Sequence, residues 1–186
     1  MAQSQTVQDT GVVDLLIRQH SQIRDLFAEV MAAQGDARRE RFAQLVRLLA
    51  VHETAEEEIV HPLARSLPGG AGIIDDRLKE ENQAKEILVE LENIDPATDD
   101  FLSRLDQLRL AVLTHARAEE RYEFMRLRDQ FGEAQQRAMT AAVKAAEATA
   151  PTHPHPGIES ATKNALTGPL VSIVDRTRDL IRGTGA

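Results

Sequence analysis

His52-Glu53-Thr54-Ala55-Glu56-Glu57 returns in altered form at His115-Ala116-Arg117-Ala118-Glu119-Glu120. Each copy sets a histidine and a glutamate four residues apart in an otherwise apolar, helix-forming run. On an α-helix that step turns the side chain by only about 40° and advances it by roughly 6 Å. Both groups therefore lie one turn apart on one face. Two such faces turned toward each other make a ring of imidazoles and carboxylates, which constrains the fold more than any other feature of the chain.

The rest of the sequence supplies helices to carry that ring. Ala, Leu, Glu, Gln and Arg dominate, all strong helix formers, while aromatic residues make up only 3% of the 186 residues. Valine and isoleucine recur at helical intervals, not in alternating runs, so the chain reads as all-α. One helix carries Val12, Val13, Leu16, Ile17, His20, Ile23, Phe27 and Val30 inward. A second starts near Ala37 with Phe42, Leu45, Leu48, Leu49, His52, Glu56 and Ile59 inward; Pro62 bends or nearly ends it, and Pro68-Gly69-Gly70 stops it. A third spans roughly Ile73 to Asn93 through Ile74, Leu78, Glu81, Lys85, Leu88 and Leu91. A fourth begins at Asp99 or Asp100 and runs to Phe131-Gly132 through Phe101, Leu105, Leu108, Val112, His115, Glu119, Tyr122 and Met125.

These helices form a twofold internal repeat. His20 lies 32 residues before His52, and Glu81 lies 34 before His115. Each half is a helical hairpin with one ligand-type residue on its first helix and His-x-x-x-Glu on its second. Two hairpins with short connections close into a four-helix bundle, and such bundles hold metals between facing helices. The bundle is expected over residues 10–132. Residues 133–186 are expected to add an Ala-rich helix, a Pro-rich strap from Thr149 to Gly157 and a short amphipathic helix within Leu166 to Ile181, packed on the bundle or on a second subunit.

Net charge and composition exclude several functions. A charge of -8 argues against nucleic-acid binding, which needs a basic face, and against anionic membrane surfaces. No run is long enough to cross a bilayer, and Met1 to Thr10 lacks the basic and apolar regions of a secretory signal. The expectation is a soluble cytoplasmic protein, monomeric or a weak homodimer. With no cysteine, any metal must be held by histidine and carboxylate.

Taken singly, a histidine on an apolar helix face is read as a core histidine, and acidic runs such as Glu56-Glu57-Glu58 as solvated faces. Their combination points elsewhere. Glu56 and Glu119 fall on leucine-defined faces, where an unpaired carboxylate is costly to bury, and the pattern recurs in both halves. The candidate ligands are His20, His52, Glu56, Glu81, His115 and Glu119. Six are too many for one metal with an open position and suit two ions bridged by Glu56 and Glu119, completed by water, hydroxide or oxide. Nitrogen and oxygen donors without sulfur suit iron, then manganese, and zinc less specifically. Glu57 and Glu120, about 100° round the helix, are outer partners or surface charges, or else ligands themselves. Tyr122, seven residues after His115, returns to the metal-facing stripe, as a packed core tyrosine or as a phenolate or redox-active neighbour. His61, nine residues past His52, falls on the opposite side of its helix and is expected at the surface or a helix end. His153 and His155 belong to the strap.

With His20, His52-x-x-x-Glu56-Glu57 and His115-x-x-x-Glu119-Glu120 in place, the stretch from about Val12 to Phe131 resembles the bacterial hemerythrin-like proteins, the HHE cation-binding domain family. The resemblance implies an up-down-up-down four-helix bundle around a non-haem di-iron centre that binds oxygen, nitric oxide or peroxide, or senses oxygen or iron. The third helix departs from the pattern. Aligning Lys85-Glu86-Ile87-Leu88 with the family's Lys-x-Leu-Leu puts Glu81 where the first histidine of oxygen carriers belongs, and Lys85 where the second belongs. Harder, anionic ligands favour the ferric state. The expectation is therefore a stress-defence protein that reacts with peroxide, oxygen or nitric oxide, with Lys85 as a proton donor or a partner of Glu57 or Glu120, or else snorkelling to solvent. The competing reading is a non-catalytic sensor of oxygen, nitric oxide or iron. A third is an interaction module with a structural polar core.

Overall fold

A computed structural model describes residues 11–150. Among these the elements are all helical: α1 Val12–Ala32, α2 Gly35–Ala55, a π turn Glu56–Val60, α3 His61–Ser66, α4 Gly70–Glu92, α5 Asp99–Glu119, a second π turn Glu120–Phe124, α6 Met125–Gln130 and α7 Glu133–Glu147. α2, the first π turn and α3 follow without a break, as do α5, the second π turn and α6. The result is a four-helix bundle in which α1 packs along α2, α4 along α5, and α1 against α5, with α7 laid over α1, α2 and the first π turn. No helix among the described residues is long and apolar enough to cross a membrane. The expected Leu166–Ile181 helix, the strap beyond Ala150, and His153 and His155 lie outside the described residues.

Local chemistry sets the ends of these helices. α5 begins at Asp99, as expected, and Thr98 caps it: its Oγ1 accepts from the Phe101 amide at 3.2 Å. Both aspartates then sit in the first turn, where negative charge suits the helix dipole. Gly69 takes a left-handed φ of 74° at the corner between α3 and α4. A Cβ on Gly70 would lie 2.0 Å from the Ala64 carbonyl oxygen, so the corner closes only with glycine there. That close approach fixes where α4, which carries Glu81 and Lys85, leaves α3.

The core is split in two. One apolar cluster contains Leu16, Ala55, Ile59, Leu63, Ile74, Phe124, Leu127 and the inner face of α7. The other contains Ile23, Phe27, Phe42, Leu45, Leu49, Leu88, Phe101, Leu105, Leu108 and Val112. His20 lies between Leu16 and Ile23 on α1, and Glu81 between Ile74 and Ala84 on α4. The polar side chains thus occupy one layer between two apolar plugs.

Pro62 does not end the second helix. It is the second residue of α3, immediately past a π turn, and the helix runs on to Ser66. A proline has no amide hydrogen to donate, and the widened turn absorbs that loss. Each π turn adds about one residue to a helical turn, which re-phases everything after it.

A candidate dinuclear metal centre

Four helical stretches bring His20, His52, Glu56, Glu81, His115 and Glu119 together, each at most 8% exposed. His52 Nε2 lies 3.2 Å from Glu56 Oε2, and His115 Nε2 lies 3.3 Å from Glu119 Oε2, so each His-x-x-x-Glu pair meets along its own helix. His20 Nε2 reaches Glu119 Oε2 across the bundle at 3.4 Å, and His115 Nε2 lies 3.8 Å from Glu81 Oε1. The His20 ring meets His52 edge-on at 5.0 Å between centroids and stacks on Phe124 at 5.5 Å.

The imidazoles share one wiring. His20 Nδ1 pairs with Glu120 Oε1 at 2.8 Å, His52 Nδ1 with Gln19 Oε1 at 3.0 Å, and His115 Nδ1 with Glu80 Oε2 at 3.0 Å. Each outer group is an acceptor, so each Nδ1 donates and Nε2 is the atom turned inward. Gln19 in turn donates its amide to Glu147 on α7, which fixes the direction of the chain from Glu147 to His52. An outer acceptor that sets tautomer and ring orientation is the usual support of a metal-bound histidine.

Inside this ring the polar atoms lack partners. Both oxygens of Glu56, both of Glu119, one of Glu81, and Nε2 of His20 and His115 are buried without a hydrogen bond among the described residues. Leaving such atoms unpaired is expensive, more so for charged groups. Three sets of ligand atoms converge within 4.8 Å of one another: His20, His52, Glu56 and Glu119; Glu81, His115 and Glu119; and His61, Glu119 and Glu123. Glu119 belongs to all three. The donor set and its orphaned atoms fit a cation.

Burial and charge divide the titrations. Burial, with His20 nearby, lowers His52 to about 3, leaving it neutral. Burial alone would lower His20 and His115 too, but Glu119 and the outer carboxylates outweigh it and raise both. Burial and then repulsion from Glu119 hold Glu56 well above the carboxylate range. Burial opposes ionisation of Glu119, yet His115 and His20 bring it well below that range.

Lys85 is buried beside the centre. Its Nζ contacts Glu57 and lies 3.6 Å from Glu53 Oε2 and 3.8 Å from Glu81 Oε2, so it does not snorkel to solvent. Burial raises Glu53 to about 8 even against the Lys85 charge. The pairing of Lys85 is with Glu57; Glu120 is engaged by His20 instead.

Three expected positions change, all because of the π turns. Tyr122 is 50% exposed with Arg121 over its ring, and Met125 is also exposed; neither faces the centre. The second π turn rotates that stripe, so Glu123 points inward in place of Tyr122 and is 1% exposed. His61 is not a surface residue but 2% exposed. A regular helix puts it about 180° from His52, and one absorbed residue brings it back to about 80°. There His61 Nε2 meets Glu81 Oε1 at 2.6 Å and His61 Nδ1 meets Glu123 Oε1 at 3.0 Å.

Fold and site together define a helical-bundle cation-binding protein. The chain belongs to the hemerythrin HHE cation-binding family, whose sequence profile matches residues 11–127. A protein of Nostoc sp. named DNA nickase is 28% identical over 148 residues, covering 79% of this chain. The chain spans 42% of that relative's length. No solved structure matches it.

Proposed function

We propose that the protein holds two iron ions in this layer and uses them to bind and react with a small oxidant or diatomic molecule, peroxide, oxygen or nitric oxide, in stress defence. The observation that carries the reading is the convergence of orphaned buried atoms on Glu119. His20, His52, Glu56 and Glu119 would hold one ion; Glu81 and His115 would hold the second, with Glu119 shared. Charge supports the count. Glu53, Glu56, Glu57, Glu58, Glu81, Glu119 and Glu123 are buried carboxylates, and Lys85 is the buried ammonium beside Glu53, Glu57 and Glu81. Two divalent cations would offset much of that excess of negative charge with the imidazoles uncharged. The sulfur-free donor set favours iron, with manganese next.

Bound iron supplies Lewis acidity and one-electron redox chemistry. The chain supplies the rest. A void lined by His20, Ile23, Leu49, His52, Glu53, Val112, Leu113, His115 and Ala116 opens on the imidazoles. About 10 Å³ of it can take the centre of a water-sized molecule, room for a single small ligand. Ile23, Leu49, Val112 and Leu113 make much of its wall apolar. Lys85 holds a proton 3.8 Å from Glu81 Oε2 at the edge of the centre, and Glu53, raised to about 8, holds another.

Oxygen evolution from peroxide by iron-loaded protein, lost in His115→Ala, tests the reactive reading. Tight nitric oxide or oxygen binding with no peroxide turnover would replace it with the sensor reading. Strand cleavage, the activity in the Nostoc relative's name, is disfavoured: the centre is buried, the void takes one small molecule, and the chain is acidic. Nicking of supercoiled plasmid by the iron-loaded chain would overturn that exclusion.

A further inference from the structure

We infer that His61 is a fourth imidazole ligand of the centre, serving the second ion beside His115 and Glu81, with Glu123 as the outer carboxylate that orients it. This role rests on the dinuclear reading above and adds two residues to it.

His61 repeats the wiring of the other three histidines. Its Nδ1 is tied to an outer carboxylate, Glu123 Oε1 at 3.0 Å, as His20 is to Glu120 and His115 to Glu80. Its Nε2 faces an inner carboxylate, Glu81 Oε1 at 2.6 Å. The same Glu81 oxygen lies 3.8 Å from His115 Nε2. Two imidazoles therefore approach one carboxylate oxygen from different helices, as ligands around a shared cation do. A histidine that merely bridged two glutamates in a core would satisfy them. Here Glu81 Oε2 and Glu123 Oε2 remain buried without hydrogen-bond partners among the described residues, on side chains 1% exposed.

The donor count points the same way. Without His61 the first ion has two imidazoles and the second has one; with it each has two. Lys85 occupies the place where the resemblance leads one to expect a third-helix histidine, and its ammonium cannot ligate. The missing imidazole comes instead from the turn after α2, delivered by the π turn at Glu56–Val60. The matching π turn at Glu120–Phe124 delivers Glu123 to hold it. Both irregularities then serve one purpose. They set His61 and Glu123 facing each other beside Glu81.

Anaerobic titration of the full chain with ferrous iron tests this, read as bound iron per chain and as X-ray absorption of the loaded protein. Wild type should bind two ions with an average of two imidazoles per iron. His61→Ala should retain the first ion at wild-type affinity and lose the second, so that iron falls to one ion per chain while the imidazole average stays at two, from His20 and His52. Glu123→Gln should weaken the second ion by about 10–100-fold, the range for outer partners of metal-bound histidine, while leaving the first. Circular dichroism checks that both variants fold. If His61→Ala does not fold, Glu123→Gln and the wild-type imidazole average decide the question. Two ions held by folded His61→Ala at wild-type affinity, or a wild-type average of one and a half imidazoles, would overturn the role of His61. Fewer than two ions in wild type would overturn the dinuclear reading itself, a separate failure.

Discussion

Replacing Lys85 with methionine is a demanding test of the buried charge network, because it keeps the stem and removes only the ammonium. Nζ contacts Glu57 and lies 3.6 Å from Glu53 and 3.8 Å from Glu81. A charge pair near 4 Å is worth roughly 4 kcal/mol at an effective dielectric constant of 20. Glu53, raised to about 8, carries a proton at neutral pH and adds little. Glu57 is then the main carboxylate that loses the balancing ammonium. Breaking a buried ion pair from one side costs about 3–5 kcal/mol, and at this chain length each kcal/mol moves Tm by about 2–4 °C. Metal-free Lys85→Met is expected to melt about 6–20 °C below the parent. Adding Glu57→Gln should recover at least half of the loss, since neutralising both members removes the buried charge that the ammonium balanced. The assay is thermal and urea unfolding of the four proteins in a double-mutant cycle. A single-variant loss below about 1 kcal/mol, the range of surface pairs, would rule out a buried ion pair and return Lys85 to a snorkelling role.

Other consequences are equally open to measurement. Gln19→Leu removes the acceptor from His52 Nδ1 and should weaken binding of the first ferrous ion by about 10–100-fold in an anaerobic titration. Gly70→Ala drives a Cβ to 2.0 Å from the Ala64 carbonyl oxygen; the corner must open, costing at least about 1–3 kcal/mol in urea unfolding. Tyr122→Phe should leave metal content and peroxide turnover within about twofold of the parent, because the ring is half-exposed. For His61 and His115 burial opposes protonation, but the facing glutamates raise both well above 6.5. In the metal-free fold their stabilisation is therefore full below about 6.5 and is lost as pH rises through the raised values. Iron must displace the same protons, so its affinity should increase with pH and each binding event should release acid in a pH-stat.

Most of the bundle and its ring of candidate ligands is legible in the amino-acid sequence. Four amphipathic stripes, the Pro68-Gly69-Gly70 stop and the doubled His-x-x-x-Glu specify the bundle, and the six predicted residues meet within it. Four-residue spacing works there because α2 and α5 are regular up to Ala55 and Glu119. It fails immediately afterwards. Projecting about 100° per residue across the two π turns sends His61 outward and Tyr122 inward, the reverse of what the fold does. The sequence does carry a clue: Phe124 and Leu127 are buried and out of phase with Leu108, Val112, His115 and Glu119, by about one residue. Pro62, directly after His61, marks a lost hydrogen bond at the corresponding place in the first half. The roles of Gln19, Glu80 and Glu147 depend on contacts between distant segments, which no local pattern encodes.

Everything proposed for this layer depends on a metal pair shared through Glu119. Native mass spectrometry of the full chain, expressed with ample iron, tests that pair most directly when run beside Glu119→Ala. Glu119 belongs to every convergent set of ligands among the described residues, so two irons are expected on the parent chain and neither on the folded variant. Well under one ion on the parent, or two on Glu119→Ala, would contradict a shared pair.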